Sequence, residues 1–269
     1  MPELPEVELV RRELEPVMRG ARIDRVKRRR PDLRTYFPRR FVARLEGQTV
    51  RAVERRAKYL LVPLSSGETL LMHLGMSGSF RVATAMTGIR EEPDRHDHVI
   101  FDLSTGASVV FNDPRRFGFM DIVPASGLPA HPTLGRLGPE PLSEAFDAFA
   151  LARACARKKT SLKAALLDQR VVAGLGNIYV SEALHVAALS PLRQASTIAT
   201  TNGRPRNAAY RLAAAIKLVL ADAIARVSDT RFRVYDREGA RCRRRGCRGN
   251  VRRLTQAGRS TFYCRECQR

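Results

Sequence analysis

Tryptophan is missing from all 269 residues of the chain. Any stacking on a flat partner, or wedging into one, must then come from Phe, Tyr, Met or Arg. Also missing is an apolar run long enough to span a bilayer. No secretory leader is expected, because Glu3, Glu6 and Glu8 stand where a basic leader would and no apolar run follows them. These absences predict a soluble, cytoplasmic protein. Acidic residues are in short supply, 27 against 48 basic ones, which leaves a net charge of +21 and a pI near 11.0. An arginine-rich, high-GC proteome would raise arginine everywhere but would not cluster it near the C-terminus. The balance points to a long polyanion as partner, and the same field would speed encounter with it. Cysteine is scarce too: there are five, and four of them lie at or beyond position 242.

The chain opens Met1-Pro2-Glu3-Leu4-Pro5-Glu6-Val7-Glu8. Removal of Met1, which the small Pro2 behind it permits, leaves a secondary amine. An α-amino group titrates near pH 8 (about 7.7–8.0), so much of it is an uncharged nucleophile at neutral pH. Such an amine can attack a carbon that bears a leaving group and collapse to a Schiff base, with Glu3 beside it to move protons. A plain surface helix explains the same residues, since Pro and acids favour a first turn. Val7, Val10, Leu14 and Val17 follow at helical spacing, so a helix ending at Gly20 is expected on either reading.

Short runs of period two come next. Strands are expected over 23–26, 49–53, 59–63, 69–73, 79–82, 98–103, 108–111 and 118–123, which predicts a β-sandwich or barrel with the opening helix along it. Three islands exceed what strand packing needs. Lys58, at the start of an apolar strand, is a solvated flank or a partner for a phosphate beside a reactive centre. His73-Leu74-Gly75-Met76-Ser77-Gly78 is a glycine turn with an apolar tip, and Asn112-Asp113-Pro114-Arg115-Arg116-Phe117-Gly118 is a turn presenting Arg and Phe together. A base-flipping protein needs such tips: an apolar wedge unstacks the duplex while an arginine takes the place of the extruded base. His96-Asp97-His98 has no third ligand nearby, so a structural or phosphate-contacting role is expected there and not a metal.

Residues 124–141, rich in Pro and Gly, read as a linker, and beyond them the period is helical. Ser143 is expected to cap a helix to about Arg157, Thr160 or Ser161 the next, and Pro205 to Arg226 form another. Between them Gly174-Leu175-Gly176-Asn177 opens onto a helix over 179–187, a backbone suited to a phosphate. It lacks the strand of a dinucleotide fold and the lysine of a P-loop, so no nucleotide or other organic cofactor is expected. Cys242 and Cys247 have four residues between them, and Cys264 and Cys267 have two. Four thiolates so spaced suit one tetrahedral structural Zn2+, with disulfides disfavoured in a cytosolic chain. Between the pairs a β-hairpin carries Arg259 at its tip, and Cys155 is left over as a small core residue.

Taken together, these motifs resemble those of the bacterial formamidopyrimidine-DNA glycosylases along essentially the whole chain, in the family's order. The resemblance rests on the opening Pro2 to Glu8, Lys58 in Arg-Arg-Ala-Lys-Tyr, the 73–78 and 113–118 turns, Gly174 to Tyr179, and the hairpin ending Phe262-Tyr263-Cys264. It implies an α+β multidomain protein. An N-terminal catalytic β-sandwich (1–123), a linker (124–141), a helix-two-turns-helix domain (142–230) and a C-terminal zinc finger (231–269) follow one another. It further implies a monomeric bifunctional glycosylase and abasic-site lyase of base excision repair acting on damaged double-stranded DNA. Pro2 would be the nucleophile, Glu3 the proton donor to the opening sugar, and β- and δ-elimination the route of strand cleavage. Lys58, Asn177 and Arg259 match phosphate-binding positions. Met76, Arg115 and Phe117 match void-filling and wedge residues, with Arg115 facing the estranged cytosine; His96 is assigned a DNA contact.

Two departures stand out. The family usually has two residues between the first cysteine pair, not four. Its loop that caps an oxidised guanine is almost absent here, where only Ser228 to Arg233 join Val227 to Val234. Two other functions compete. Endonuclease VIII, which prefers oxidised pyrimidines, shares the chemistry but typically has Gly at the place of Leu4 and lacks the Met76 and Arg-Arg-Phe islands. A catalytically silent DNA-binding protein would have no use for Pro2, Glu3 and Lys58.

Overall fold

Apolar residues alternating between turn-forming ones give the first half its strands. The structure is a computed structural model that describes residues 2–84, 94–226 and 231–269. Helix α1 (Leu4–Met18) leads into β1 (Ile23–Arg28) and the short α2 (Phe41–Leu45). Then come β2 (Glu54–Arg56), β3 (Tyr59–Pro63), β4 (Glu68–His73) and β5 (Ser79–Ala83). Three more follow: β6 (Asp97–Leu103), β7 (Ser108–Asn112) and β8 (Phe119–Pro124). They form two four-stranded antiparallel sheets, β1-β6-β7-β5 and β2-β3-β4-β8.

One core fills the space between the sheets. Leu60, Val62, Leu70 and Met72 of one sheet share it with Val99, Phe101, Val109 and Phe111 of the other. Helix α1 adds Val7, Leu14 and Met18, with Val10 and Val17 partly buried against it. Gly20 ends that helix in the left-handed region at φ 79°, where a residue without Cβ meets no steric penalty.

In this half the structure departs from the sequence pattern. The 49–53 run is extended but is no ladder strand: Val50 bonds back to Ala21, and Arg51 N donates to Pro63 O at 2.8 Å. It therefore bridges between two segments and pairs along neither. Helix α2 has no counterpart in the sequence pattern; only its burial of Phe41 and Leu45 sustains five residues of helix.

The chain forms two units, Met1–Gly135 and Arg136–Arg269. The second holds α3 (Ala148–Cys155), α4 (Leu162–Leu167), α5 (Asn177–Val186) and α6 (Asn207–Ala225). The hairpin of β9 (Val251–Gln256) and β10 (Arg259–Cys264) completes it. Ser143 caps nothing. Asp147 accepts from Ala150 N at 2.7 Å and starts α3, while the Ser143 hydroxyl donates to Glu140 O at 2.9 Å. Ser161 caps α4, its hydroxyl oxygen accepting from Ala164 N at 3.2 Å. Cys155 is buried in α3, and burial pushes its thiol up to about 11, so it behaves as a small apolar side chain. Among the described residues, no helix is long and apolar enough to cross a membrane.

Candidate active site and metal centre

Pro2 stands just ahead of α1, and Glu3 is its N-cap, 2 % exposed. Glu3 N donates to Glu6 Oε2 at 2.8 Å, so the helix start is locked from inside its own first turn. Met1, and with it the question of its removal, lies outside the described residues.

Lys58 sits in the two-residue turn between β2 and β3, one place before the strand it is expected to open. The turn needs Ala57 at φ 55°. Arg55 holds it in place. Its Nε donates to Glu8 Oε2 on α1 at 3.0 Å, and its Nη1 donates to Ala57 O at 3.1 Å. A single guanidinium thus ties the lysine's turn to the helix that carries Glu3. Burial alone would push the Glu8 carboxyl up, but bonds from Arg11, Arg12 and Arg55 outweigh that and hold it below its usual value. The sequence hides this pair; an Arg three positions before a lysine gives no signal that it reaches another element.

The two turns with exposed tips meet. Asp113, fully buried, accepts from Ser77 Oγ at 2.5 Å through one oxygen and from Gly118 N at 2.8 Å through the other. Arg115 N donates to Ser77 Oγ at 3.1 Å. Gly75, at φ 63°, presses so closely on the second turn that a Cβ there would sit 2.2 Å from the Phe117 carbonyl carbon. The Arg115 guanidinium lies 4.9 Å from the centroid of the Phe117 ring. Met76 is 41 % exposed and Phe117 42 %, although the backbones that carry them are held rigidly.

Behind these turns His73 accepts from Gly75 N at its Nδ1, at 3.0 Å, and stacks on Phe119 with ring centroids 5.6 Å apart. Burial, then the Lys58 and Arg34 charges, lower its pKa from 6.5 to about 4. His96 is half-buried, its ring Nε2 receiving Arg95 Nε at 2.9 Å, while His98 Nε2 bonds Asp113 O at 2.9 Å. Asp97 between them is occupied by Arg81, Asn112 and Asp94 N.

In the second unit Asn177 begins α5 and its Nδ2 donates to Ser260 O at 2.9 Å. Lys163 on α4, 1 % exposed, reaches the same carbonyl at 2.9 Å and Thr261 Oγ1 at 2.7 Å. The strand that carries Arg259 is thereby held against the start of α5. Ala257 and Gly258, at φ 49° and 71°, form the tight tip, and Arg259 is the exposed residue that follows it. Gln169 shapes the 170–176 loop, its Oε1 accepting from Gly174 N at 2.9 Å and its Nε2 donating to Leu175 O at 2.8 Å. The buried Glu182 carboxylate accepts from Arg233, Val234 and Tyr235 N at 2.7, 2.8 and 2.9 Å and so fixes the entry to the hairpin. Neither Lys163 nor Glu182 belongs to a motif, although a charged residue inside an apolar helical run is the signal that marks both.

Cys242, Cys247, Cys264 and Cys267 converge, with all four sulfurs within 4.8 Å of one another. The 242–267 and 247–264 pairs are 3.8 and 3.6 Å apart. A tetrahedron with Zn–S near 2.3 Å has edges of about 3.8 Å, so this thiol set fits a structural zinc. The four-residue spacing between Cys242 and Cys247 does not disturb the convergence.

Comparison with known proteins gives one result throughout. Residues 1–120 match the model of the formamidopyrimidine-DNA glycosylase N-terminal domain, and residues 137–233 match that of the same enzyme's H2TH domain. A formamidopyrimidine-DNA glycosylase of Rhodopseudomonas palustris (strain HaA2) is 57 % identical over 292 aligned positions covering the whole of both chains. Among solved structures, Lactococcus lactis formamidopyrimidine DNA glycosylase, non-covalently bound to DNA containing an abasic (AP) site, superposes over the whole of both chains with a TM-score of 0.89 at 30 % identity. The MutM (Fpg) protein of Thermus thermophilus superposes with a TM-score of 0.84 at 39 % identity, covering 99 % of this chain and 98 % of that one.

Proposed function

The chain belongs to the formamidopyrimidine-DNA glycosylase family, and on that premise we propose how its own residues carry out the repair of damaged DNA. It is a DNA glycosylase of base excision repair whose partner is damaged DNA. Pro2, freed of Met1, attacks the sugar C1′ of the extruded nucleotide. The C1′–N bond of the damaged base breaks and the base leaves with that electron pair. Glu3 delivers a proton to the ring oxygen as the sugar opens, and the amine loses its proton to give the Schiff base. The Schiff base acidifies C2′; loss of that proton expels the 3′ phosphate, and a second elimination expels the 5′ phosphate. Lys58, anchored through Arg55, binds a phosphate beside the reacting sugar.

Met76, Arg115 and Phe117 fill the space left by the flipped nucleotide, with Arg115 facing the opposing base. The shared anchor of their two turns on Asp113 is the observation that best supports this reading. Asn177 and Arg259 bind backbone phosphates, and His96 makes a further DNA contact. Functionally the chain divides into a catalytic domain at 1–123, a linker at 124–141, the helix-two-turns-helix domain at 142–230 and the finger at 231–269. Four thiolates hold one Zn2+, which supplies structure and no chemistry because every ligand position is taken by protein. The protein works as a monomer in the cytoplasm, on the nucleoid.

Borohydride trapping on duplexes with a single abasic site tests the scheme. A covalent adduct is expected with protein shown by mass spectrometry to start at Pro2, and Pro2→Gly should trap weakly. Undiminished lyase activity in protein that retains Met1 would overturn the assignment of the nucleophile.

A further inference from the structure

The first cysteine knuckle and the last turn of α5 grip each other from both sides. His185 on α5 is 1 % exposed, and its Nε2 lies 3.2 Å from Cys242 Sγ. Its Nδ1 is buried with no hydrogen-bond partner among the described residues. A ring bearing a single N–H would strand that donor if it carried it on Nδ1; on Nε2 the N–H points at sulfur. In return Arg244, inside the four-residue spacing between Cys242 and Cys247, reaches back to the helix. Its Nη2 donates to Val186 O at 3.1 Å and to His185 O, two of the last carbonyls of the helix, the second of which also accepts from Ala188 N at 3.1 Å. Arg244 N lies 3.4 Å from the same Cys242 sulfur. The second knuckle is fastened nearby: Gln268 accepts from Cys264 N at 2.8 Å and donates to Leu189 O at 2.9 Å.

We propose that His185 donates a hydrogen bond to the zinc-bound thiolate of Cys242, and that with Arg244 it latches the zinc knuckle to the C-terminal end of α5. A metal-bound thiolate keeps much of its charge, and an N–H donor spreads that charge and fixes the ligand's direction; losing such a partner typically weakens metal binding by about 10–100-fold. Helix α5 runs ten residues from Asn177 to Val186, so the latch and the residue proposed to meet a phosphate stand at opposite ends of one helix. The inference rests on the reading of the four cysteines as a zinc site.

The test uses the full-length protein with zinc, and with Co2+ in its place, in the parent and in His185→Phe, His185→Gln and Arg244→Met. His185→Phe should release zinc to a chelator at least about tenfold faster. It should also move the sulfur-to-cobalt charge-transfer band to lower energy, because a thiolate without its donor gives up charge more easily. His185→Gln, which keeps an N–H near the Nε2 position, should restore both. Arg244→Met should leave the band in place but abolish the slowing of amide exchange at residues 183–189 that zinc produces in the parent. If a folded His185→Phe matches the parent in band and release rate, the hydrogen bond is refuted. Should His185→Phe not fold, a folded His185→Gln with the parent band supports the proposal, and one with a shifted band overturns it. A parent that holds no metal refutes the zinc reading itself, which is a different result from a metal-loaded parent indifferent to position 185.

Discussion

Asp113 is fully buried, and its two oxygens serve different turns. Asp113→Ala leaves the Ser77 hydroxyl and Gly118 N–H without their acceptor, at a cost of about 3 kcal/mol. Thermal melts should show that loss. On the proposed role of the tips in extruding the base, base excision should fall further than cleavage at abasic sites, which have no base to extrude. Equal losses on both substrates would mean that the turns only support the fold. His73 gives a second measurement at this scale. Its folded pKa near 4 lies below the unfolded 6.5, so the unfolded chain binds the extra proton between those values. Stability contributed by the neutral ring is full above pH 6.5 and drains away as the pH falls toward 4. Denaturant midpoints taken across that window should slope downward on acidification, and His73→Gln should make the slope shallower, with the remainder left to the similarly lowered His185.

Among the described residues, the apolar core of the β9–β10 hairpin is Val234, Val251 and Phe262, with Tyr235 packed beside it. So few apolar side chains cannot hold a finger closed, which leaves the task to the metal and to the bonds from Lys163, Asn177 and Glu182. Chelation, or Cys264→Ser, should therefore unfold the tail and remove DNA binding, read by fluorescence anisotropy of a labelled duplex. Arg259→Ala leaves the hairpin folded. It should weaken binding to every sequence alike and reduce the salt slope by about one counterion. Zinc-free protein that bound DNA normally would make the finger dispensable.

Over the whole molecule, the aligned length of 292 positions against 269 residues leaves at least 23 positions of the Rhodopseudomonas relative without a counterpart here. The short 228–233 connection is one place where the chain is visibly brief, although residues 227–230 lie outside those the structure describes. A flipped base is selected partly by what closes over its Watson–Crick edge. In the proposed scheme Pro2, Glu3 and Lys58 act on the sugar and need no such closure. Cleavage should accordingly be robust at abasic sites and at ring-opened purines or oxidised pyrimidines, and comparatively weak at 8-oxoguanine. Single-turnover rates on duplexes with one lesion each, against a common opposing base, decide this. A wide lead for 8-oxoguanine would show that recognition survives without the missing segment.

Local chemistry is legible in the sequence because it depends on neighbours in the chain. The alternation from Tyr59 to Pro63 lies between turn residues and marks that strand at both ends. The spacing of Cys242, Cys247, Cys264 and Cys267 suits a structural zinc, and the joint order of the motifs names the family. What depends on distant partners is not legible. The 49–53 run became a bridge because its partners belong to two different segments. Lys163 is buried because Ser260 and Thr261, almost a hundred residues later, supply the oxygens that its ammonium needs. A period or a motif is a property of consecutive residues, whereas satisfying a buried charge depends on which strand folds back against it, and only the tertiary structure decided that.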